Sequence, residues 1–188
     1  MKYRDPNIVK GFWLVRAVLT RPFFKKMGRN CYIGRPVIIS GKKHISIGDN
    51  VHIYPGMRLE AVGTIDGITP EITIGNNVGI AQGAYIYCSE KVEIGDNVAL
   101  GPYCMINDSS HGYGKSDRSV DKQELQVAPI KIGDNSWIGF GAVILPGVTI
   151  GKHCVIGANS VVTHDLEDNT IVRPGKQQVV KMPDRWFK

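Results

Sequence analysis

The sequence predicts an all-β fold in which short strands coil repeatedly around one column, and three observations support this prediction. A branched apolar residue recurs every six residues, glycine often follows it, and asparagine or aspartate comes next. A period of six fits neither a helix, at 3.6 residues per turn, nor a single strand, at two. It fits a chain that forms a strand, turns a corner and repeats, so that stacked coils make a parallel β-helix.

The six-residue step is most regular in the C-terminal half, where it is repeated five times. It joins Ile132, Ile138, Ile144, Ile150, Ile156 and Val162. Shorter runs precede it: Ile47, Ile53, Leu59 and Ile65; Ile74, Ile80 and Ile86; Ile94, Leu100 and Ile106. IGDN or IGNN begins at Ile47, Ile74, Ile94 and Ile132, where glycine and asparagine suit a tight corner. An ordinary β-sandwich would require these steps to be accidental.

The two ends differ from the column. We expect residues 1–29 to form a basic helical segment, the column to span 30–166 and a C-terminal cap to span 167–188. A helix from Asn7 to Thr20 carries Ile8, Phe12, Val15 and Leu19 at helical spacing. Pro22 breaks this helix or starts a short second one, which Gly28 can end.

Charge is concentrated at the N-terminal end. Residues 1–43 contain 11 Lys and Arg and one acid, a net +10, whereas the remainder carries −4, giving +6 in total. This asymmetry excludes a uniformly basic nucleic-acid-binding protein. Two roles are open for the helix: it caps the first coil, or it rests on an anionic membrane with Phe12, Trp13 and Phe23 at the headgroups.

Composition indicates one cytoplasmic domain. The chain has 188 residues, of which 43% are apolar, and no long uninterrupted apolar stretch. Cys31, Cys88, Cys104 and Cys154 form no CxxC pair, so neither a zinc cluster nor a disulfide framework is predicted. We expect four buried thiols in a protein of the reducing cytoplasm. We also expect this protein to contact the inner face of the cytoplasmic membrane peripherally.

The long insertion between Ile106 and Ile132 is the candidate site. Residues 107–129 are mostly polar and begin NDSSHG, and a loop of this length inside a regular repeat is usually functional. This motif and the segment IKIGDNSWIGFGAVILPGVTIGKHCVIGANSVVTHDL resemble hexapeptide-repeat O-acetyltransferases. They are similar to the maltose and galactoside acetyltransferases and especially to the acetyltransferases of bacterial surface polysaccharides.

The resemblance implies a left-handed parallel β-helix, a homotrimer and acetyl-CoA as acyl donor, with no metal. It implies acetyl transfer to a sugar hydroxyl in capsule, exopolysaccharide or lipopolysaccharide synthesis, with a sugar or a lipid-linked oligosaccharide as acceptor. The positions where galactoside acetyltransferases hold their sugar with Asn and Asp are occupied by Ala81 and Ser89. A simple galactoside or maltose is therefore a less suitable acceptor.

By the same resemblance, His111 is the general base. A hydroxyl attacks a thioester at neutral pH only if a base takes its proton, and neutral imidazole suits that pH. Asp108 either orients the imidazole or caps the turn, and Asn107 is a further site candidate.

Trp137 precedes the inward-facing Ile138, so its indole faces outward and needs a cover, either a neighbouring subunit or the pantetheine arm of CoA. The resemblance places CoA along this edge. Its expected contacts are Trp137, Gly139, Phe140, Ala158, Thr163, His164, Arg173, Lys176 and Lys181.

Three alternatives are open. The acceptor could be an amine, on an amino sugar or a xenobiotic, because the same machinery would serve. A non-catalytic scaffold would account for the column but for neither His111 nor Trp137. A γ-type carbonic anhydrase would need three histidines around zinc, two of them close in sequence, but the five histidines are 8, 59, 42 and 11 residues apart.

Overall fold

A computed structural model describes residues 7–63, 65–112 and 117–175, which form one N-terminal helix and 21 short strands. Helix α1 spans Asn7–Thr20, and 3-10 turns span Arg21–Phe23, Lys42–His44 and Val120–Lys122. The strands are β1 (Lys26–Met27), β2 (Tyr32–Ile33), β3 (Ile38–Ser40), β4 (Ile45–Ile47), β5 (His52–Ile53), β6 (Arg58–Ala61), β7 (Glu71–Ile74), β8 (Gly79–Ile80), β9 (Tyr85–Cys88), β10 (Lys91–Ile94), β11 (Ala99–Leu100), β12 (Met105–Asn107), β13 (Ser109–His111), β14 (Leu125–Val127), β15 (Ile130–Ile132), β16 (Trp137–Ile138), β17 (Val143–Ile144), β18 (Thr149–Ile150), β19 (Val155–Ile156), β20 (Val161–Val162) and β21 (Ile171–Val172).

The strands form three parallel sheets, which are the faces of a triangular column. The first face contains β1, β4, β7, β10, β15 and β18, and the second contains β2, β5, β8, β11, β16, β19 and β21. The third contains β3, β6, β9, β12, β17 and β20, while β13 and β14 form a separate antiparallel hairpin. This architecture is a left-handed parallel β-helix, so the predicted fold class is confirmed.

The apolar residues of the repeat stack directly on one another inside the column. On the first face, the Cα partners in successive coils are Ile47, Ile74, Ile94, Ile132 and Ile150. Equivalent stacks run through Ile53 on the second face and Leu59 on the third, and these side chains are almost fully buried. Each coil therefore buries its apolar face only against its neighbours, as in other solenoids.

All departures from the six-residue step lie at one corner. Between the first and second faces, and between the second and third, successive stacked residues are always six apart. Between the third and first faces the step is eight from Ile86 to Ile94 and 26 from Ile106 to Ile132. We call this the variable corner.

The inclusion of Ile65 in the repeat was wrong. Strand β6 ends at Ala61, at the variable corner, and the next inward stack begins at Ile72 on strand β7. The six residues from Leu59 to Ile65 match the repeat by coincidence, because the chain leaves the column there and returns nine residues late, at Ile74 rather than Ile65.

Asparagine holds the corner between the first and second faces. Asn50, Asn77, Asn97 and Asn135 have φ between 56° and 60°, in the left-handed region that asparagine tolerates. Their amides form a ladder: Asn50 Nδ2 donates to Asn77 Oδ1 at 3.0 Å, and Asn77 Nδ2 to Asn97 Oδ1 at 3.1 Å. The IGDN motif thus serves the corner predicted from it.

Helix α1 has the predicted bounds and covers the N-terminal end of the column. Ala17 is buried, Trp13 packs edge-on against Tyr54 at 5.7 Å between ring centroids, and Arg16 donates to the Ile33 carbonyl. Phe12, Val15 and Leu19, the apolar stripe found in the sequence, instead face outward.

The strand ladder extends beyond residues 30–166 at both ends. It begins with β1, paired with β4, and ends with β21, paired with β19. Gly28 does not end a second helix, because the 3-10 turn stops at Phe23 and the Gly28 amide hydrogen-bonds to Ile47 within the ladder.

All four cysteines are buried as free thiols, as predicted. Burial raises the pKa of the Cys104 thiol to about 12 and also raises that of Cys88. These groups remain protonated and unreactive at neutral pH.

Candidate active site

The insertion at the variable corner is an ordered hairpin at its base. Asn107 ends β12, and its side-chain Oδ1 accepts hydrogen bonds from the Ser109 amide at 3.1 Å and the Ser109 hydroxyl at 2.9 Å. This turn directs the chain out of the third face into β13. Strand β13 then pairs with β14, with His111 opposite Leu125.

Asp108 fixes this base to the neighbouring coil. Its carboxylate is fully buried and accepts hydrogen bonds from the amides of Ser89, Glu90 and Lys91, at 2.7, 2.8 and 2.9 Å. These three amides lie at the variable corner, where the step from Ile86 to Ile94 is eight residues instead of six. Of the two roles open for Asp108, these contacts are those expected of the cap. A role in orienting the His111 imidazole stays a prediction.

His111 stands exposed at the rim of a groove on the outer side of the third face. The groove has a volume of about 420 Å³ and runs between the hairpin and the column. Its polar lining comes from Asn107, Ser109, Ser110 and His111, and its apolar lining from Met105, Leu125, Leu145 and Pro146. A reactant in this groove would therefore lie beside the imidazole.

Two tyrosines complete the groove, and the sequence analysis missed them. Tyr85 and Tyr87 lie on β9 with ring planes 7° apart and centroids 6.3 Å apart. The Arg58 guanidinium lies over the Tyr85 ring at 5.2 Å, and burial raises the pKa of the Tyr85 phenol. The sequence did contain a signal for them. Tyr85 and Tyr87 flank the inward-facing Ile86, so the two-residue period of a strand places both rings outward, as it does for Trp137.

A second exposed aromatic group lies on and beside the second face. Trp137 is 57% exposed, as its outward orientation predicts. Phe140 and Tyr103, at the corner between the second and third faces, are also exposed and contact each other edge-on at 5.7 Å. Large exposed aromatic rings this close together indicate a surface that is covered in use.

The other predicted CoA contacts are distributed over two corners. Gly139 and Ala158 lie with Phe140 at the corner between the second and third faces, and Gly139 is buried in the ladder. Thr163 and His164 lie after the third face, at the variable corner, where the Thr163 hydroxyl is 2.7 Å from His164 Nδ1. Arg173 is exposed after β21, whereas Lys176 and Lys181 lie outside the described residues.

One subunit does not bring the two predicted halves of the site together. None of the described residues predicted to bind CoA lines the groove beside His111. Trp137 faces outward from the second face, whereas the groove lies on the third.

Metal-ligand side chains do not gather in the described ranges 7–63, 65–112 and 117–175: no three His, Cys, Asp or Glu residues are arranged to hold an ion. His153 takes a positive-φ position in the asparagine corner, and His52 lies on the second face beside Tyr32.

Comparisons with known proteins agree with this fold. Residues 129–164 match the family model described as bacterial transferase hexapeptide (six repeats). WbbJ of Escherichia coli K12, whose assigned role is lipopolysaccharide biosynthesis O-acetyl transfer, is 33% identical over 177 residues, covering 89% of this chain and 86% of WbbJ. The galactoside O-acetyltransferase of the same strain is 32% identical over 156 residues, covering 83% of this chain and 63% of the relative.

Solved structures give the same fold. A hexapeptide-repeat acetyltransferase of Vibrio cholerae, complexed with acetyl-CoA, superposes with a TM-score of 0.56 at 25% identity, over 84% of this chain and 70% of that one. AntD, an N-acyltransferase of Bacillus cereus, superposes with a TM-score of 0.69 at 20% identity, over 90% of each chain, and supports the fold alone.

The fold is that of a β-helical acyltransferase. This chain belongs to the hexapeptide-repeat O-acetyltransferase family, which confirms that it is an acetyltransferase.

Proposed function

We propose that this acetyltransferase moves an acetyl group from acetyl-CoA to a hydroxyl of a sugar destined for a bacterial surface polysaccharide. The observation that carries the proposal is the placement of His111: an exposed imidazole at the rim of a groove, on a hairpin whose base Asp108 fixes to the column. The role assigned to WbbJ, similar over most of its length, favours a polysaccharide acceptor.

The reaction is a direct transfer. His111 accepts the proton of the sugar hydroxyl as the oxygen attacks the thioester carbonyl carbon. The new C–O bond forms, the C–S bond of the tetrahedral intermediate breaks, and the imidazolium returns its proton to the departing thiolate. A CoA thiolate is a good enough leaving group for this sequence without an acyl-enzyme.

The donor lies along the exposed aromatic surface. Trp137 and Phe140 offer area to the pantetheine arm, and the backbone near Gly139 and Ala158 offers hydrogen bonds. Thr163, His164 and Arg173 are proposed contacts further along the donor. Lys176 and Lys181, which lie outside the described residues, are also proposed as contacts. Because none of the described donor contacts lines the groove of its own subunit, the proposal includes a homotrimer in which one subunit supplies His111 and its neighbour supplies Trp137.

The N-terminal helix brings the enzyme to its acceptor at a membrane. Phe12, Val15 and Leu19 form an exposed apolar stripe, and Phe23 is exposed next to it. Lys26, Arg29, Arg35 and Lys43 are exposed in the same basic quarter of the chain. Trp13, expected at the headgroups, is instead half-buried against Tyr54. Within the described residues, no helix is long and apolar enough to cross a bilayer. The contact that we propose is peripheral.

The test is an acceptor screen with acetyl-CoA and detection of the released thiol. Hydroxyl sugars, amino sugars and lipid-linked oligosaccharides are the three arms. The protein's own thiols are all buried, so the background is low. Acetylation of hydroxyl sugars or lipid-linked oligosaccharides supports the proposal. Turnover of amino sugars alone establishes the N-acetyltransferase alternative, and no turnover in any arm favours the scaffold.

A further inference from the structure

Tyr85 and Tyr87 form a paired aromatic surface in the groove that holds His111. Both occupy outward positions of β9, and their rings are almost parallel. Both tyrosines are half-buried, so part of each ring is accessible in the groove and the rest packs against neighbouring residues. The Arg58 guanidinium covers Tyr85 from the preceding strand.

Hydrogen-bonding groups surround this pair. On the side of the hairpin are the amide of Asn107, the Ser110 hydroxyl and the His111 imidazole. On the other side, one strand towards the N-terminus, Arg58 donates to Glu60 Oε1 from Nε at 2.9 Å and from Nη2 at 2.5 Å. Glu60 is 7% exposed, although it carries a charge on the outside of the column.

We propose that Tyr85 and Tyr87 bind the pyranose ring of the acceptor, and that the Arg58–Glu60 pair binds a second sugar ring. This inference deepens the proposed function and rests on it, because it assigns the acceptor subsite of the same reaction. The occupant is an oligosaccharide of at least two rings.

The chemistry of the groove favours a sugar over the pantetheine arm. A pyranose has a flat face of C–H groups that packs on an aromatic ring, and hydroxyls around its edge that need donors and acceptors. The groove supplies both, whereas pantetheine is a narrow flexible chain. The volume of about 420 Å³ is in the range of small-ligand sites.

The second subsite follows from the register of the third face. Arg58 is the Cα partner of Tyr85, and Glu60 is the partner of Tyr87. Asn107 is the partner of Tyr87 on the opposite side. A chain of sugar rings that starts beside His111 and crosses the tyrosines therefore reaches the Arg58–Glu60 pair next.

The first experiment measures binding without turnover. Saturation-transfer NMR would follow methyl α-D-glucopyranoside, methyl β-D-galactopyranoside and methyl α-L-rhamnopyranoside on the intact protein. We expect Tyr85→Ala and Tyr87→Ala each to weaken binding of the sugars that bind by about three- to tenfold, the loss of one aromatic stack. Tyr87→Phe, which keeps the ring, should stay near wild type. Tyr32→Ala is the matched control, because Tyr32 also faces outward from a strand but lies on the second face.

The second experiment uses turnover of an acceptor from the screen. The tyrosine variants should raise the acceptor KM and leave the acetyl-CoA KM unchanged. R58Q/E60Q removes both charges together, so neither is left buried alone, and should raise KM for a disaccharide but not for the corresponding monosaccharide.

The outcomes are separable. Acceptor binding unchanged in Y85A/Y87A, with sugar acetylation intact, overturns the subsite but not the proposed function. A raised acetyl-CoA KM with an unchanged acceptor KM assigns the groove to pantetheine and also overturns the subsite. Thermal unfolding of each variant near the wild-type temperature excludes a folding defect.

Discussion

At the scale of single residues, the proposed site contains one group that would react, His111, and groups that hold the hairpin in place. His111 is exposed at the rim of the groove. The side-chain oxygens of Asp108 and Asn107 instead accept hydrogen bonds from backbone amides and a serine hydroxyl. The motif NDSSHG therefore combines a turn, a buried anchor and one imidazole. These roles predict different consequences of substitution.

His111→Ala should lower the transfer rate by about 10²–10⁴-fold, because no other group in the groove would take the hydroxyl proton. The residue is exposed in a hairpin, so stability and acetyl-CoA affinity should change little. Steady-state kinetics and calorimetric titration check this. Gln126→Ala is the control, because Gln126 is exposed in the same hairpin but does not line the groove. Turnover near the wild-type rate would mean that His111 is not the base.

Asp108→Asn should lower the free energy of unfolding by about 1–3 kcal/mol, since an amide group cannot replace both carboxylate oxygens as acceptors for three amides. Denaturant unfolding measures this change. Activity should fall through displacement of the hairpin, while the pH dependence of kcat/KM keeps the wild-type profile. A shifted profile would instead support the ring-orienting role for Asp108.

At the scale of elements, helix α1 uses its two sides differently. One side packs on the column through Trp13 and Ala17, and Arg16 and Arg21 donate to backbone carbonyls of the first coil. The other side presents Phe12, Val15 and Leu19 to solvent. Capping and membrane contact are therefore compatible. Removing residues 1–28 would also remove strand β1 and uncover the core, so point substitutions test the membrane role better.

Phe12→Glu with Leu19→Glu should abolish co-sedimentation with vesicles of phosphatidylglycerol and phosphatidylcholine at low salt, because it puts charge into the apolar stripe and opposes the anionic surface. The wild type should bind these vesicles in a salt-sensitive way and ignore pure phosphatidylcholine. Ile171→Glu is the matched control, exposed at the C-terminal end of the column. Wild-type protein that stays in the supernatant, or a variant that still sediments, would contradict the membrane role.

At the scale of the whole molecule, the proposed trimer predicts complementation. H111A and W137A proteins should each be inactive or severely impaired, but trimers mixed by joint refolding should recover activity. If each site takes His111 from one subunit and Trp137 from the next, about a quarter of the sites in an equal mixture are intact. Sedimentation should give a trimer throughout. H111A mixed with the double variant H111A/W137A is the control mixture that stays inactive, because no subunit in it carries the imidazole. Absence of recovery in verified mixed trimers would place both residues in one subunit.

Much of the fold could be predicted because each coil repeats one pattern of burial. The stacked residues from Ile132 to Val162 must stay six residues apart to face inward, so their stack can be recognised in the sequence. The variable corner was harder, because no neighbouring coil constrains a loop there, and Ile65 matched the step by chance. Tyr85 and Tyr87 were missed because the function of an outward-facing side chain depends on its neighbours on adjacent strands. For Tyr85 these are Arg58 and Met105, which are far from it in sequence.

The confinement of length changes to one corner has an evolutionary consequence. An inserted or deleted residue at either of the other corners would shift every later inward side chain out of its stack, so selection would remove it. At the variable corner the same event alters only a connection between strands, and the connections that follow β6, β9 and β12 lie in three consecutive coils there. New substrate ranges can thus arise by exchange of these three connections together, which makes them the natural unit for a chimera between relatives.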